Sequence, residues 1–161
     1  ARIAHTRAQL FLDTSGAALH CLLRDCTAPA NVLRMDDLEA EDLAGRKLPS
    51  RVDSADFAQS LVRRGLARAV IVARGGDGNV LATAENRWVA EAAKVDIVSK
   101  VGAGDSFVAA FTLSLSRGLS MPEALQWGAA AASAAVTTSA TDLCHLPMVR
   151  KLLPHSTIST L

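Results

Sequence analysis

Short aliphatic runs alternate with helical segments through the first half of the sequence, and this alternation limits the possible folds more than any other feature. The runs at 9–13, 31–34 and 69–73 have the length and composition of buried strands. The segments between them predict helices over 17–24, over 36–44, and from a cap at Asp53 or Ser54 to about Arg64. Strands that alternate with helices favour an α/β fold, in which helices flank a mostly parallel sheet.

The second half predicts a hairpin and then helices. Glycines at 75, 76 and 78 interrupt the strand that ends at Ala73, and the apolar residues 80–82 return as the second arm. We therefore expect antiparallel strands at one edge of the sheet. The remaining predicted elements are a short strand over 88–90, helices over 105–116 and from Ser120 to about Val136, and a short helix over 147–153.

Composition and charge narrow the classes of partner. The 161 residues amount to about one domain, and half of them are hydrophobic, which argues against disorder. The formal net charge of +1 gives no electrostatic reason to expect nucleic acid or a membrane as partner, and no apolar run reaches the ~20 residues of a membrane helix. The three cysteines are odd in number and lack a zinc spacing, so we expect reduced thiols in a cytoplasmic protein.

The turn Gly102-Ala103-Gly104-Asp105 carries the strongest chemical signal. It lies between a strand-like segment and an apolar helix, and its glycines let backbone N–H groups approach a ligand closely. A helix start adds unpaired donors and the positive end of the helix dipole, which together favour an anion. A carboxylate at Asp105 would repel a resting phosphate but could take a proton from an attacking hydroxyl. The pattern indicates phosphoryl transfer, whereas a simpler alternative makes Asp105 a helix N-cap.

Several strings resemble the PfkB-type (ribokinase-like) carbohydrate kinases, in the same order along the chain. The segment from Val101 to Phe107 resembles the C-terminal signature of that family. The other matching segments are 13–19, 34–39, 74–78 and the alanine-rich stretch that begins at Trp127. The nearest branch is that of the 6-phosphofructokinases, 1-phosphofructokinases and tagatose-6-phosphate kinases. The resemblance covers nearly all of this chain but only about the C-terminal half of the family.

The resemblance implies a ribokinase-like fold and transfer of the ATP γ-phosphoryl group to a hydroxyl of a sugar or sugar phosphate. Asp105 would be the base, and the amides of Gly102, Ala103 and Gly104 would steady the transferring group. Residues implied near the nucleotide are Arg34, Asp36, Gly75, Gly78, Lys100, Ala131, Ala132 and Ala135. Glu39 would act on Mg²⁺, which tends to keep several waters. A potassium ion would lie on carbonyl groups near Ser99, Val101, Ala135, Thr138 and Ala140.

The sequence departs from the family pattern at informative positions. Lys100 replaces the usual Thr, and Arg34-Met35-Asp36 replaces Lys-Pro-Asn. Arg34 keeps the positive charge with a differently shaped donor group. Asp36 adds a charge that would tighten metal binding or repel phosphate. Thr138 and Asp142 also differ from the Asn and Arg common near the cation loop.

These departures leave two further hypotheses beside a sugar kinase. One is a non-catalytic nucleotide-binding module, and the other is a kinase of a nucleoside or vitamin alcohol. The chain begins at Ala1 in a segment typical of a helix end or linker. We therefore expect residues 1–161 to be the C-terminal, nucleotide-binding part of a larger kinase domain. The sugar-binding part and lid would lie elsewhere, and the full-length protein would form the homodimer that relatives build through that lid.

Overall fold

The computed structural model of the protein describes residues 8–25, 28–139 and 142–161. The chain divides into two compact units. Of the described residues, the first unit contains 8–25, 28–74, 80–88 and 160–161, and the second contains 75–79, 89–139 and 142–159. Within the described part of the chain, no helix combines the length and the apolar character needed to cross a membrane.

Six strands and six α-helices make up the regular structure of the described residues. The strands are β1 (Phe11–Asp13), β2 (Ala30–Asp36), β3 (Ala67–Ala73), β4 (Asn79–Ala82), β5 (Arg87–Ala90) and β6 (Ile158–Thr160). The helices are α1 (Gly16–Asp25), α2 (Asp37–Ala44), α3 (Arg51–Arg63), α4 (Ala103–Ser116), α5 (Met121–Ala135) and α6 (Leu146–Leu152). The strands form one mixed sheet in the order β1-β2-β3-β4-β5-β6. The predicted α/β class with helices flanking the sheet is confirmed.

Parallel strands form the centre of the first unit. β1 pairs with β2 and β2 pairs with β3, all in parallel. The register aligns Asp13 with Arg34, so the polar ends of β1 and β2 lie side by side. Leu33 and Met35 of β2, together with Val70 and Val72 of β3, are fully buried. These alternate residues belong to one apolar cluster. Val32, Ala69 and Ile71 on the other face are buried as well, which is why continuous aliphatic runs predicted these strands.

Close helix packing forms the second unit. α5 packs against α4 on one side and against α6 on another. A Cβ atom added at Gly128 would lie 2.8 Å from a ring carbon of Phe107, so only a glycine hydrogen fits there. Phe107 in turn stacks on Phe111, with ring centroids 5.9 Å apart. The small residues of α5 therefore let the two helices approach closely.

Three helices in the described part of the chain begin with a capping box. The box predicted at Ser120 and Glu123 is confirmed. In α3 the cap is Ser50, and Asp53 is the third helical residue, whose carboxylate accepts the Ser50 N–H. The predicted cap at Asp53 or Ser54 was therefore wrong. The Ser50 hydroxyl and N–H lower the pKa of Asp53 from its usual value.

One predicted helix differs at its start, and one strand was not predicted. α4 begins at Ala103, two residues before the predicted start, because Gly102 takes the cap position. β6 was not predicted at all, since three residues offer too little periodicity to distinguish a strand. Thr157, just before β6, accepts the Glu91 N–H at 2.9 Å.

Gly78 provides a stability test within the second unit. Its φ of +89° is left-handed, and an added Cβ would lie 2.2 Å from the Ala90 carbonyl oxygen. We expect Gly78→Ala to lower the free energy of unfolding by roughly 2–4 kcal/mol, from backbone strain and overpacking together. Gly76→Ala is the matched control, because Gly76 has ordinary φ and nothing within 4 Å of an added Cβ. Urea unfolding measures the free energy of unfolding of both variants. Equal stabilities of the two variants would contradict the close approach of Gly78 to the Ala90 carbonyl.

Candidate active site

Gly102 forms the sharp turn that starts α4. It is the N-cap of this 14-residue helix, with a left-handed φ of 78° and ψ of −1°. A side chain would be strained in that conformation, although an added Cβ would meet nothing within 4 Å. The space around the turn is therefore open. Glycine at this position is required by the backbone and leaves room for a ligand.

The first amides of α4 are available to an anion. The Ser106 N–H bonds the Gly102 carbonyl at 2.9 Å, and the Ala103 N–H reaches the Lys100 carbonyl at a long 3.4 Å. Among the residues that the structure describes, the N–H groups of Gly102, Gly104 and Asp105 have no hydrogen-bond acceptor. Such donors at the positive end of a helix bind phosphate oxygens well.

Asp105 lies beside these donors with its carboxylate uncommitted. It is the third residue of α4 and is exposed. Its side chain makes no hydrogen bond or ion pair within residues 8–25, 28–139 and 142–161. The alternative in which Asp105 caps the helix was wrong, since Gly102 holds that position. A carboxylate without a structural partner is free to accept a proton from a ligand hydroxyl.

The segment before the turn is tied to the end of α5. The N–H groups of Val98 and Ser99 both donate to the Val136 carbonyl, at 2.8 and 3.2 Å. The Ser99 hydroxyl accepts the Val101 N–H at 3.2 Å. At the other side of this junction, the Thr138 hydroxyl donates to the Ala135 carbonyl at 2.8 Å. Four of the five residues predicted for a potassium ion thus lie on two directly bonded segments.

Ala140, the fifth residue predicted for the potassium ion, lies outside the described residues. Of the alanines predicted beside adenine, Ala132 is half-buried, whereas Ala131 and Ala135 are buried. Lys100 is exposed, and its ammonium group has no partner among the described residues. Gly75 is exposed at the start of a 3₁₀ turn, and its carbonyl accepts the Gly78 N–H at 3.1 Å.

The first unit contains the remaining predicted residues. Arg34 donates to the Asp13 carboxylate at 3.0 Å, across the β1–β2 register. Asp36 is the N-cap of α2 and accepts the Glu39 N–H at 2.8 Å, while Glu39 accepts the Asp36 N–H at 2.8 Å. Sequence reasoning assigned no role to Asp13 and missed this capping box. The Asp-x-x-Glu spacing signalled the box, whereas the ion pair depends on strand register.

Magnesium was predicted to involve Glu39. No group of three His, Cys, Asp or Glu side chains that could hold a metal ion occurs in the described part of the chain. Glu39 is half-buried, and one of its oxygens is occupied by the helix cap. These residues fit an ion that arrives on phosphate oxygens and meets one protein carboxylate through water, as Mg²⁺ commonly does. They do not form a cage that would bind the metal alone.

The fold and the Gly102 turn together define a class of protein: an α/β protein with acceptor-free main-chain donors beside an uncommitted carboxylate, an arrangement that suits phosphoryl transfer. Residues 1–148 match the family described as pfkB family carbohydrate kinase. The chain belongs to this family, and its fold is ribokinase-like.

Individual relatives agree with this assignment. The chain is 34% identical over 136 residues to the ATP-dependent 6-phosphofructokinase isozyme 2 of Mycobacterium tuberculosis, covering 84% of this chain and 39% of that one. It is 32% identical over 154 residues to the 1-phosphofructokinase of Bacillus subtilis, covering 96% and 49%. Phosphofructokinase-2 from Escherichia coli, solved with substrates and products, superposes with a TM-score of 0.84 at 32% identity, covering 92% and 47%. The chain thus spans half or less of the length of these relatives.

Two substitutions at Glu39 separate the effect of its helix-capping hydrogen bond on stability from the effect of its charge. We expect Glu39→Ala to lower the free energy of unfolding by about 0.5–1.5 kcal/mol, because the Asp36 N–H loses its acceptor. Glu39→Gln keeps an acceptor oxygen and should change stability by less than about 0.5 kcal/mol. Urea unfolding measures both variants, with the exposed Glu85→Ala as control. Equal destabilisation by Ala and Gln would show that charge, and not the cap, matters for stability.

Proposed function

We propose that the complete gene product is an ATP-dependent kinase that transfers the γ-phosphoryl group of ATP to a hydroxyl of a sugar or sugar phosphate. The observation that carries this proposal is the set of acceptor-free amides at Gly102, Gly104 and Asp105 beside the uncommitted Asp105 carboxylate. Relatives named as phosphofructokinases favour a fructose- or tagatose-phosphate acceptor.

The chemistry follows from the two parts of the turn. The acceptor hydroxyl oxygen forms a bond to the γ-phosphorus, and the bond from that phosphorus to the ADP oxygen breaks. Asp105 takes the hydroxyl proton as the new bond forms. The acceptor-free amides of Gly102, Gly104 and Asp105 stabilise the negative charge on the transferring oxygens. The Ala103 amide, whose bond to the Lys100 carbonyl is long, lies between them in the turn. Products are ADP and a phosphorylated sugar.

The family resemblance assigns binding and orientation to further residues in each unit. Gly75 and Gly78 border the nucleotide phosphates, and Ala132 offers a small, accessible side chain to adenine. Arg34, held by Asp13, presents a cationic donor at the carboxyl ends of β1 and β2. Lys100 has no partner within the described residues and can reach a phosphate. Asp36 holds the start of α2, beside Glu39.

Metal ions complete the proposed site. Mg²⁺ bound to ATP would neutralise phosphate charge, with Glu39 contacting its water shell. Potassium would lie on carbonyl groups of Ser99, Val101, Ala135, Thr138 and Ala140. The bonds from Val98 and Ser99 to Val136 support this location, because they hold the two carbonyl-bearing segments together.

The binding partners of the complete protein and its cellular location are also proposals. The complete protein would bind ATP and one small sugar or sugar phosphate, and it would form a homodimer. A cytoplasmic location is supported by Cys21 and Cys144, the free thiols of the described residues. The formal net charge of +1 continues to argue against nucleic acid as a partner.

Asp105→Asn tests the mechanism in the complete gene product. We expect kcat to fall by about 10²–10⁴-fold, because the amide cannot take the proton, while calorimetry finds Mg-ADP binding within about twofold of wild type. Glu85→Gln, an exposed change outside the proposed site, should leave kcat unchanged. Coupled ADP release with fructose and tagatose phosphates measures turnover. A kcat within threefold of wild type in Asp105→Asn would remove this carboxylate from the mechanism.

The alternative of a non-catalytic nucleotide-binding module is motivated by the substitutions at Asp36 and Lys100. It predicts calorimetric binding of Mg-ATP by the wild-type protein but no ADP release with any sugar phosphate. A nucleoside or vitamin alcohol as the only productive acceptor would instead support the third hypothesis. The same assay therefore separates all three functions.

A further inference from the structure

Two carboxamide side chains are buried among the described residues, and they differ in their hydrogen bonds. Gln59 is 8% exposed and Asn79 is 6% exposed. The amide nitrogen of Gln59 donates to the carbonyl oxygens of Thr83 and Ala84, at 3.0 and 3.2 Å. Arg63 donates to its oxygen at 3.0 Å. The Asn79 carboxamide has no hydrogen-bond partner in the described part of the chain. Because a buried amide without a partner costs free energy, Asn79 needs an explanation outside the contacts of the folded chain.

Asn79 lies where the glycine loop ends and β4 begins. The loop contains a 3₁₀ turn over Gly75–Asp77, and the Gly78 N–H donates to the Gly75 carbonyl at 3.1 Å. Gly78 lies so close to the Ala90 carbonyl that a Cβ atom would not fit. The backbone that carries the Asn79 side chain is therefore held in place on its N-terminal side.

The Asn79 carboxamide meets solvent through a narrow opening. Polar side-chain atoms that are sealed from solvent without a partner occur elsewhere in the described residues, on Thr112 and Ser156. Neither amide atom of Asn79 is among these sealed atoms. Both amide atoms therefore keep some contact with solvent, although only 6% of the residue is exposed. The carboxamide is thus accessible to a ligand but poorly hydrated without one.

We propose that Asn79 binds a ribose hydroxyl of the nucleotide, an inference that rests on the function proposed above. Gly78, the residue before it, is assigned to the nucleotide phosphates, and adenine is assigned to a small side chain of α5. The ribose lies between these two parts of the nucleotide and has no assigned partner. A carboxamide both donates and accepts hydrogen bonds, as a hydroxyl does, whereas an ionised phosphate oxygen only accepts. Asn79 thus supplies a specific contact that the glycines, which have no side chain, cannot make.

Substitutions that conserve shape separate a ligand contact from a structural one. In the complete gene product, Asn79→Leu replaces the carboxamide with an apolar group of similar shape. No hydrogen bond within the described residues is lost, so the midpoint of urea unfolding without nucleotide should stay within about 0.3 M of wild type or rise. Gln59→Met is the matched control. Its midpoint should fall by about 0.5–1 M, because the partners of the Gln59 amide lose their bonds.

Nucleotide affinity should change in the opposite order. Calorimetry with Mg-ADP should give a dissociation constant about five- to thirtyfold higher for Asn79→Leu, because a ribose hydroxyl loses its partner in a poorly hydrated site. Asn79→Ala, which cannot overpack, should show the same loss, and Gln59→Met should bind as the wild type does. The wild type should bind either 2′-deoxy or 3′-deoxy Mg-ADP more weakly by a similar factor. The Asn79 variants should not distinguish that deoxy form from Mg-ADP, since one interaction links the two changes.

Three results would overturn the assignment. A urea midpoint that falls as far in Asn79→Leu as in Gln59→Met would show that the Asn79 amide has a structural partner. Mg-ADP affinities of both Asn79 variants within about twofold of wild type would remove this residue from the nucleotide site. Equal losses for Mg-ADP and both deoxy forms would move the contact to another part of the nucleotide.

The calorimetric test is independent of turnover. A wild-type protein that binds Mg-ADP, loses that affinity in the Asn79 variants and releases no ADP from ATP with any acceptor would contradict the proposed kinase activity and support the role of Asn79. A wild-type protein that turns over ATP while the Asn79 variants bind Mg-ADP normally would contradict the role of Asn79 alone. A wild-type protein that binds no Mg-ADP would overturn both.

Discussion

The contact between Phe107 and Gly128 is the constraint on which the proposed chemistry depends. The ring of Phe107 is buried against the bare backbone of α5, where an added Cβ would lie 2.8 Å away. Because Phe107 is only two residues beyond Asp105, this contact holds the first turn of α4 as well as its middle. The amides at Gly102 and Gly104 and the carboxylate of Asp105 are therefore attached to a rigid helix pair. Preorganised donors of this kind cost little reorganisation when charge develops on a ligand.

In the first unit, structural contacts also hold the side chains to which the proposed function assigns a role. Glu39 occupies a capping box with Asp36, and its family resemblance also points to magnesium. The two roles are compatible, because the cap uses one carboxylate oxygen and a water-mediated contact needs only the other. Arg34 is similarly tied to Asp13, which restricts the guanidinium to one region at the strand ends. Helix caps and ion pairs here orient the groups that the proposed function would use.

Much of the candidate site could be predicted from local sequence because its chemistry is local. The Gly102 turn, the helix that follows it and the Asp105 carboxylate are contiguous, so glycine placement and apolar periodicity were sufficient to identify them. Capping boxes are also local, and the Ser120–Glu123 box was recognised while the Asp36–Glu39 box was overlooked. β6 was missed for a different reason. A three-residue strand is defined by its neighbours in the sheet and not by its own pattern.

The sequence by itself determined the order of strands and helices, the phosphate-type turn and membership in a kinase family, because periodicity, glycine positions and short motifs act over a few residues. Tertiary structure alone decided which amides and side chains are left without partners. It also decided that Gly78 lies against Ala90, that Asp13 lies beside Arg34 and that Asn79 is buried at the start of β4. These facts depend on strand register and helix packing between distant segments, and no local pattern encodes such distances.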